Sequence, residues 1–158
     1  MQADLESLSL PELAERLEAM DDRRTPVGWT PDDAVERATI QRVIVAMISA
    51  EPREGAAALP CGVPIQLRSK EQTREARIRE VRPGGLLVET DHTWVVGTHV
   101  DMHLRGEGWD DHGIRARGVI SRVDAGTVLV SVAAQPSDAH ERRLTRFLDE
   151  LLRHRAHT

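Results

Sequence analysis

The chain has a single cysteine, Cys61, no tyrosine, one phenylalanine and one lysine among its 158 residues. A lone cysteine excludes an intramolecular disulfide and any cysteine-based metal cluster. Without tyrosine, and with Phe147 as the only phenylalanine, base-stacking platforms for single-stranded RNA are poorly supplied. No apolar run approaches the roughly 18–20 residues that a membrane helix needs. The longest, Val43 to Ile48, is far shorter, so no membrane insertion is expected. The amino terminus is acidic and amphipathic and lacks the basic-then-apolar pattern of a secretory signal. A cytoplasmic location is the reading these absences leave. Neither G-x-S-x-G nor H-E-x-x-H occurs, so no catalytic residues and no enzyme activity are expected.

Charge is uneven. Residues 1–60 carry 12 acidic and 6 basic side chains, and residues 61–158 carry 14 and 15. A nucleic-acid binder concentrates basic charge, and neither half does. The cations are nearly all arginine. That suits forked contacts with carboxylate or phosphate, and it is also what a GC-rich genome produces without any function.

Residues 1–51 read as a helical hairpin. Ser9 is a capping residue, with Pro11 and Glu12 in the first turn and Leu10, Leu13, Leu17 and Met20 forming one apolar stripe. Asp21 to Trp29 breaks the pattern. Thr30-Pro31-Asp32-Asp33 then starts a second helix, with a hydroxyl cap, proline at the first position and acids near the positive end of the dipole. Its second half, containing VIVAMI, is apolar nearly all round, so it is buried on more than one side. Its partner is either the rest of the chain or a second copy, which raises a homodimer through this helix.

Residues 52–60 read as a linker, with Pro52, Gly55 and an alanine run. From residue 61 to 158 the period changes to that of strands: Val63 to Leu67, Ala76 to Val81, Leu86 to Thr90, Gly97 to Leu104, Ile114 to Val123 and Thr127 to Ala133. Six short strands with turn residues between them predict a closed or nearly closed antiparallel barrel. A last helix follows, capped by Ser137, with Leu144, Phe147, Leu148, Leu151 and Leu152 on one face and Arg153 and Arg155 near its end. The fold class is α+β: a helical hairpin, a six-stranded antiparallel barrel and a terminal helix.

The stretch Arg77 to Glu89 (RIREVRPGGLLVE) holds the densest chemistry. It reads as strand, Pro83-Gly84-Gly85 turn, strand, with Glu80 and Arg82 pinned at the turn. These two are either a turn-flanking ion pair or part of an anionic-ligand or partner site with Arg77, Arg79 or Arg53. On another strand His99, Asp101 and His103 share one face, at a spacing that can converge ligands on zinc and that is also the ordinary alternation of a solvated strand. No metal is assigned there. Trp94 and Trp109 fall in loops or at strand edges, and a tryptophan in the Gly106–Gly113 loop is either a partner anchor or a cover for the barrel mouth.

The anchors Glu80 to Val88, Gly97 to Val100, Gly118 to Ile120 and Thr127 to Val132, with six strands and a terminal helix, make residues Leu59 to Arg155 resemble the PilZ domain family. That is a bacterial family of receptors for the second messenger cyclic di-GMP. The family's turn motif is D/N-x-S-x-x-G. Here Glu80 stands for the acid or amide, Arg82 for the serine, and Gly85 matches. The family's second element, R-x-x-x-R ahead of the first strand, clamps phosphates and stacks on guanine. The corresponding region offers only Arg53, with Ser49 and Ala57 four residues to either side. The resemblance therefore implies a non-catalytic signalling protein with no cofactor, in which cyclic di-GMP is bound weakly or not at all. Its partner is a protein of unknown identity, docked through the acidic hairpin. The alternative it implies is a working receptor that uses Arg53 and the Glu80–Gly85 turn.

Overall fold

The computed structural model describes residues 7–50, 55–104, 114–132 and 138–153. Arg53, Trp109, His112, Ser137 and Arg155 lie outside the described residues.

Helix α1 spans Leu10–Asp22 and helix α2 spans Pro31–Ser49. At the first, the Ser9 hydroxyl accepts from the Glu12 amide at 3.3 Å, and the Glu12 carboxylate accepts from the Ser9 amide at 3.2 Å. This reciprocal box satisfies two amides that a helix start leaves orphaned. At the second, Thr30 Oγ1 accepts from the Asp33 amide at 3.2 Å. The stripe of α1 is buried as its spacing predicts: Leu10, Leu13, Ala14, Leu17 and Met20. Between the helices, Trp29 Nε1 donates to the Met20 carbonyl at 2.7 Å and so closes the end of α1.

Helix α2 packs against α1, the third helix and the barrel at once. Ile40, Ile44, Val45 and Ile48 are buried, and Val43 and Met47 are half-buried. Most of the VIVAMI surface is thus used inside the chain. Val35 stays exposed.

Six strands follow: β1 (Leu59–Arg68), β2 (Thr73–Arg82), β3 (Gly85–Glu89), β4 (His99–Leu104), β5 (Arg115–Asp124) and β6 (Thr127–Ser131). They close in the order β1-β2-β3-β6-β5-β4, every pairing antiparallel. Closure leaves no unpaired edge. The final helix, α3 (Asp138–Arg153), packs on β5, β1 and α2 through Leu144, Phe147, Leu148, Leu151 and Leu152. Helices and barrel share one contiguous apolar core.

Two differences from the sequence reading have local causes. β1 begins at Leu59, inside the stretch read as linker and four residues before Val63. Pro60 and Gly62 look like turn chemistry. In the barrel they sit at a register shift between Pro60 and Val63, with Gly62 at φ +87°. A bulge accepts a proline that lacks a donor. In β2, Ile78 and Val81 are both buried although three apart. A shift between Ile78 and Glu80 makes Arg79 the extra residue and restores the alternation.

The connection from β3 to β4 brings in a contact that the pattern did not announce. Trp94 is buried, its Nε1 donating to Thr90 Oγ1 at 3.2 Å. The His92 ring lies edge-on to it at 5.0 Å and hydrogen-bonds Gln72 at 2.6 Å. Cys61 is buried in the same core.

Candidate functional site

The β2–β3 hairpin turns in two residues, Pro83 and Gly84, since Arg82 pairs with Gly85. Proline ahead of a glycine at φ +96° is the chemistry of a type II turn. Gly85 is needed for a second reason. A Cβ there would stand 2.5 Å from the Val130 carbonyl oxygen of β6.

The arginines of this region do not converge. Arg82 Nη2 donates to Glu80 Oε2 at 2.6 Å, with about three-tenths of each side chain exposed. Arg79 reaches sideways to Glu89 of β3 at 3.7 Å. Arg77 turns the other way, donating from Nη1 to the Gly62 carbonyl of β1 at 2.8 Å. Arg77 and Arg79 are both on the outer surface, as expected for residues two apart, but each serves a different neighbouring strand.

The turn also has a covering that sequence reasoning missed. The Gly84 amide donates to the Met47 carbonyl at 3.1 Å. Met47 lies in the last turn of α2, and its carbonyl also accepts from the capping Ala50 amide at 3.4 Å. The end of the hairpin helix is therefore fastened to the turn, and the amide of Gly84 is already spent. Two buried polar atoms beside this junction, Ser49 Oγ and Arg82 Nε, have no partner among the described residues.

A cavity of about 700 Å³ opens next to the turn, between the start of α1, one face of α2, Ala56-Ala57 and Pro83. Leu8, Val43, Ala46 and Met47 give it an apolar wall, and Glu12 and Arg42 stand in its lining. The Glu12 carboxyl is held below the usual carboxylate range by the Ser9 side-chain hydrogen bond first, then by the Ser9 amide. It is an anion in this wall at neutral pH.

His99, Asp101 and His103 share the outer face of β4. Asp101 pairs with Arg117 of β5 at 3.5 Å. Among the described residues, no group of three or more His, Cys, Asp or Glu side chains is placed to hold a metal ion. No helix among them is long and apolar enough to cross a membrane.

A closed six-stranded barrel with a glycine turn between its second and third strands, braced by a terminal helix, defines a class of small closed-barrel domains. The family model of the PilZ domain matches residues 49–150, and the chain belongs to that family. PilZ domains are a cyclic di-GMP-binding family whose members are generally regulatory rather than enzymatic. Among solved structures the chain is similar to the PilZ domain of CeSA from a cellulose-synthesizing bacterium. The two share 11% identity at a TM-score of 0.46, over 61% of this chain and 95% of that one. No curated protein matches the sequence.

Proposed function

We propose that the protein is a non-catalytic adaptor of cyclic di-GMP-type signalling that works by binding another protein and takes the nucleotide weakly or not at all. One observation carries this reading: the family's ligand turn is closed by the chain itself. Arg82, where the family motif has serine, is locked to Glu80, and the Gly84 amide is occupied by Met47. A phosphate arriving there would have to break a 2.6 Å charge-assisted hydrogen bond and displace a helix end before making its own contacts. The opening beside the turn joins an apolar wall of Leu8, Val43, Ala46 and Met47 to hydroxyl side chains, one acid and one arginine, a mixture that suits a partner protein's side chains.

A second reading has support in one atom. Arg82 Nε is buried without an acceptor, and a ligand oxygen would satisfy it. Calorimetric titration with cyclic di-GMP separates the two. The adaptor reading expects no saturable heat. Micromolar binding that is lost in Arg53→Ala and Arg82→Ala would establish the receptor instead. A photo-cross-linker at Ala46, inside the opening, is expected to capture one defined partner that the same group at Arg68, on the far strand, does not.

A further inference from the structure

A second depression, about 540 Å³, lies between α2 and α3 and away from the β2–β3 turn. Ala38, Gln41 and Arg42 line it from α2; Arg142, Thr145, Arg146 and Asp149 line it from α3. Three of these seven are arginines. Arg142 and Arg146 are one helical turn apart on the same face of α3, and both line the opening. Arg42, which also lines the opening beside the turn, comes from the opposite wall.

The electrostatics are one-sided. Asp149 is the only acid in the lining, and it already accepts from Arg37 Nη2 at 2.7 Å and from Arg153 Nη2 at 3.3 Å. Arg42, Arg142 and Arg146 are exposed and have no hydrogen bond or ion pair among the described residues. Seven other described arginines each lie within 4 Å of a carboxylate, and Arg24, Arg68, Arg74 and Arg77 are engaged by a ring, a glutamine or a carbonyl. Arg115 and Arg143 also lack a partner among the described residues, but Arg42, Arg142 and Arg146 are set apart by lining one opening, in a chain of net charge −5. Like charges gathered on one opening repel one another, and an anion bound among them relieves that repulsion.

We propose that the α2–α3 cleft binds a phosphate-bearing small molecule through Arg42, Arg142 and Arg146. A terminal phosphoryl group offers three oxygens, one for each fork, whereas a single carboxylate offers two. The volume lies within the usual range for small-ligand sites and exceeds one phosphate, so the ligand carries a further moiety against Gln41 and Ala38. A phosphodiester has two free oxygens and one charge per phosphorus, so this cleft prefers a terminal phosphate or pyrophosphate to a cyclic dinucleotide. The site stands whether or not the turn takes cyclic di-GMP.

The test is thermal denaturation of the full chain with pyrophosphate, set against sodium chloride at equal ionic strength. At pyrophosphate concentrations on the order of 100 times Kd, saturable binding raises Tm by about 5–10 °C for a chain of this size. In the double variant Arg142→Gln/Arg146→Gln the rise disappears, and in Arg42→Gln it falls by at least half. Without ligand these variants melt at or above the parent temperature, since the repulsion is relieved. A rise that never saturates, that chloride reproduces, or that survives in the double variant overturns the proposal.

Discussion

Arg37 of α2 donates from Nη2 to Asp149 Oδ1 of α3 at 2.7 Å, across 112 positions of sequence. The same guanidinium donates from Nε to Asp21 of α1 at 3.1 Å and lies over the Trp29 ring at 4.7 Å. One buried cation thus ties both helices of the hairpin to the helix that braces the barrel. The hairpin is consequently built into the domain.

Removing Arg37 tests this. Only about a tenth of its side chain is exposed, and Arg37→Ala leaves two carboxylates facing a lost cation and a stacked ring. Breaking one side of a buried pair costs about 3–5 kcal/mol; the part exposure of Asp21 lowers the expectation to about 2–4 kcal/mol. Urea unfolding is expected to remain one cooperative transition with a lowered midpoint. A separate early transition for the hairpin would contradict the tie, as would a loss below about 0.5 kcal/mol, the usual size for a surface change.

Two glycines meet at Val130. A Cβ on Gly85 would reach the Val130 carbonyl oxygen at 2.5 Å, and one on Gly118 would reach Val130 Cγ1 at 2.4 Å. Backbone cannot yield cheaply, and the Val130 side chain is enclosed by the core. Gly85→Ala and Gly118→Ala are each expected to cost about 2–3 kcal/mol through overpacking. Gly126→Ala is the control: its φ is +79° but no atom lies within 4 Å, so only about 1 kcal/mol of backbone strain is expected. Equal melting temperatures for all three would refute this ordering.

The elements were legible where chemistry is local. The Ser9 and Thr30 caps, the stripe of α1 and the alternation of β4 follow from neighbours in sequence. The β1 start was hidden because Pro60 and Gly62 carry turn chemistry that a bulge absorbs. At the site, the pairing of Glu80 with Arg82 was one of two readings the residues allowed, and the structure shows it formed. The Met47–Gly84 hydrogen bond had no signal at all. It joins two backbone groups, whose partners are set by how α2 lies on the barrel and not by any side chain. The cleft arginines were equally silent, since Arg42 and Arg146 become neighbours only when α2 and α3 pack.

Sedimentation checks how much of α2 remains for a second copy. With Ile40, Ile44, Val45 and Ile48 inside the core, the free remainder of the VIVAMI run is Ala46 with parts of Val43 and Met47, and Val35 stands exposed near the other end of the helix. So small a patch falls well below the roughly 800 Å² per partner of a stable interface. A monomer is expected at high concentration. A dimer that Ala46→Asp dissociates would show that the helix pairs after all.

Restoring the family's chemistry is the strongest check on the turn. The variant Ala57→Arg/Glu80→Asp/Arg82→Ser recreates R-x-x-x-R with Arg53 and places aspartate and serine ahead of Gly85. It also removes the Glu80–Arg82 lock, so new hydrogen bonds to phosphate are no longer offset by breaking it. Each charge-assisted hydrogen bond to phosphate contributes about 1.5–3 kcal/mol, and two such bonds on one ligand amount to at least a hundredfold in affinity. Calorimetry is expected to register saturable cyclic di-GMP binding in the triple variant and little or none in the parent chain. If the variant folds, as judged by its melting curve, and still gives no heat, then the Met47–Gly84 contact is the sufficient block and residues 80 and 82 are secondary to it. If the parent already binds as tightly as the variant, the closed turn is no barrier and the adaptor reading fails.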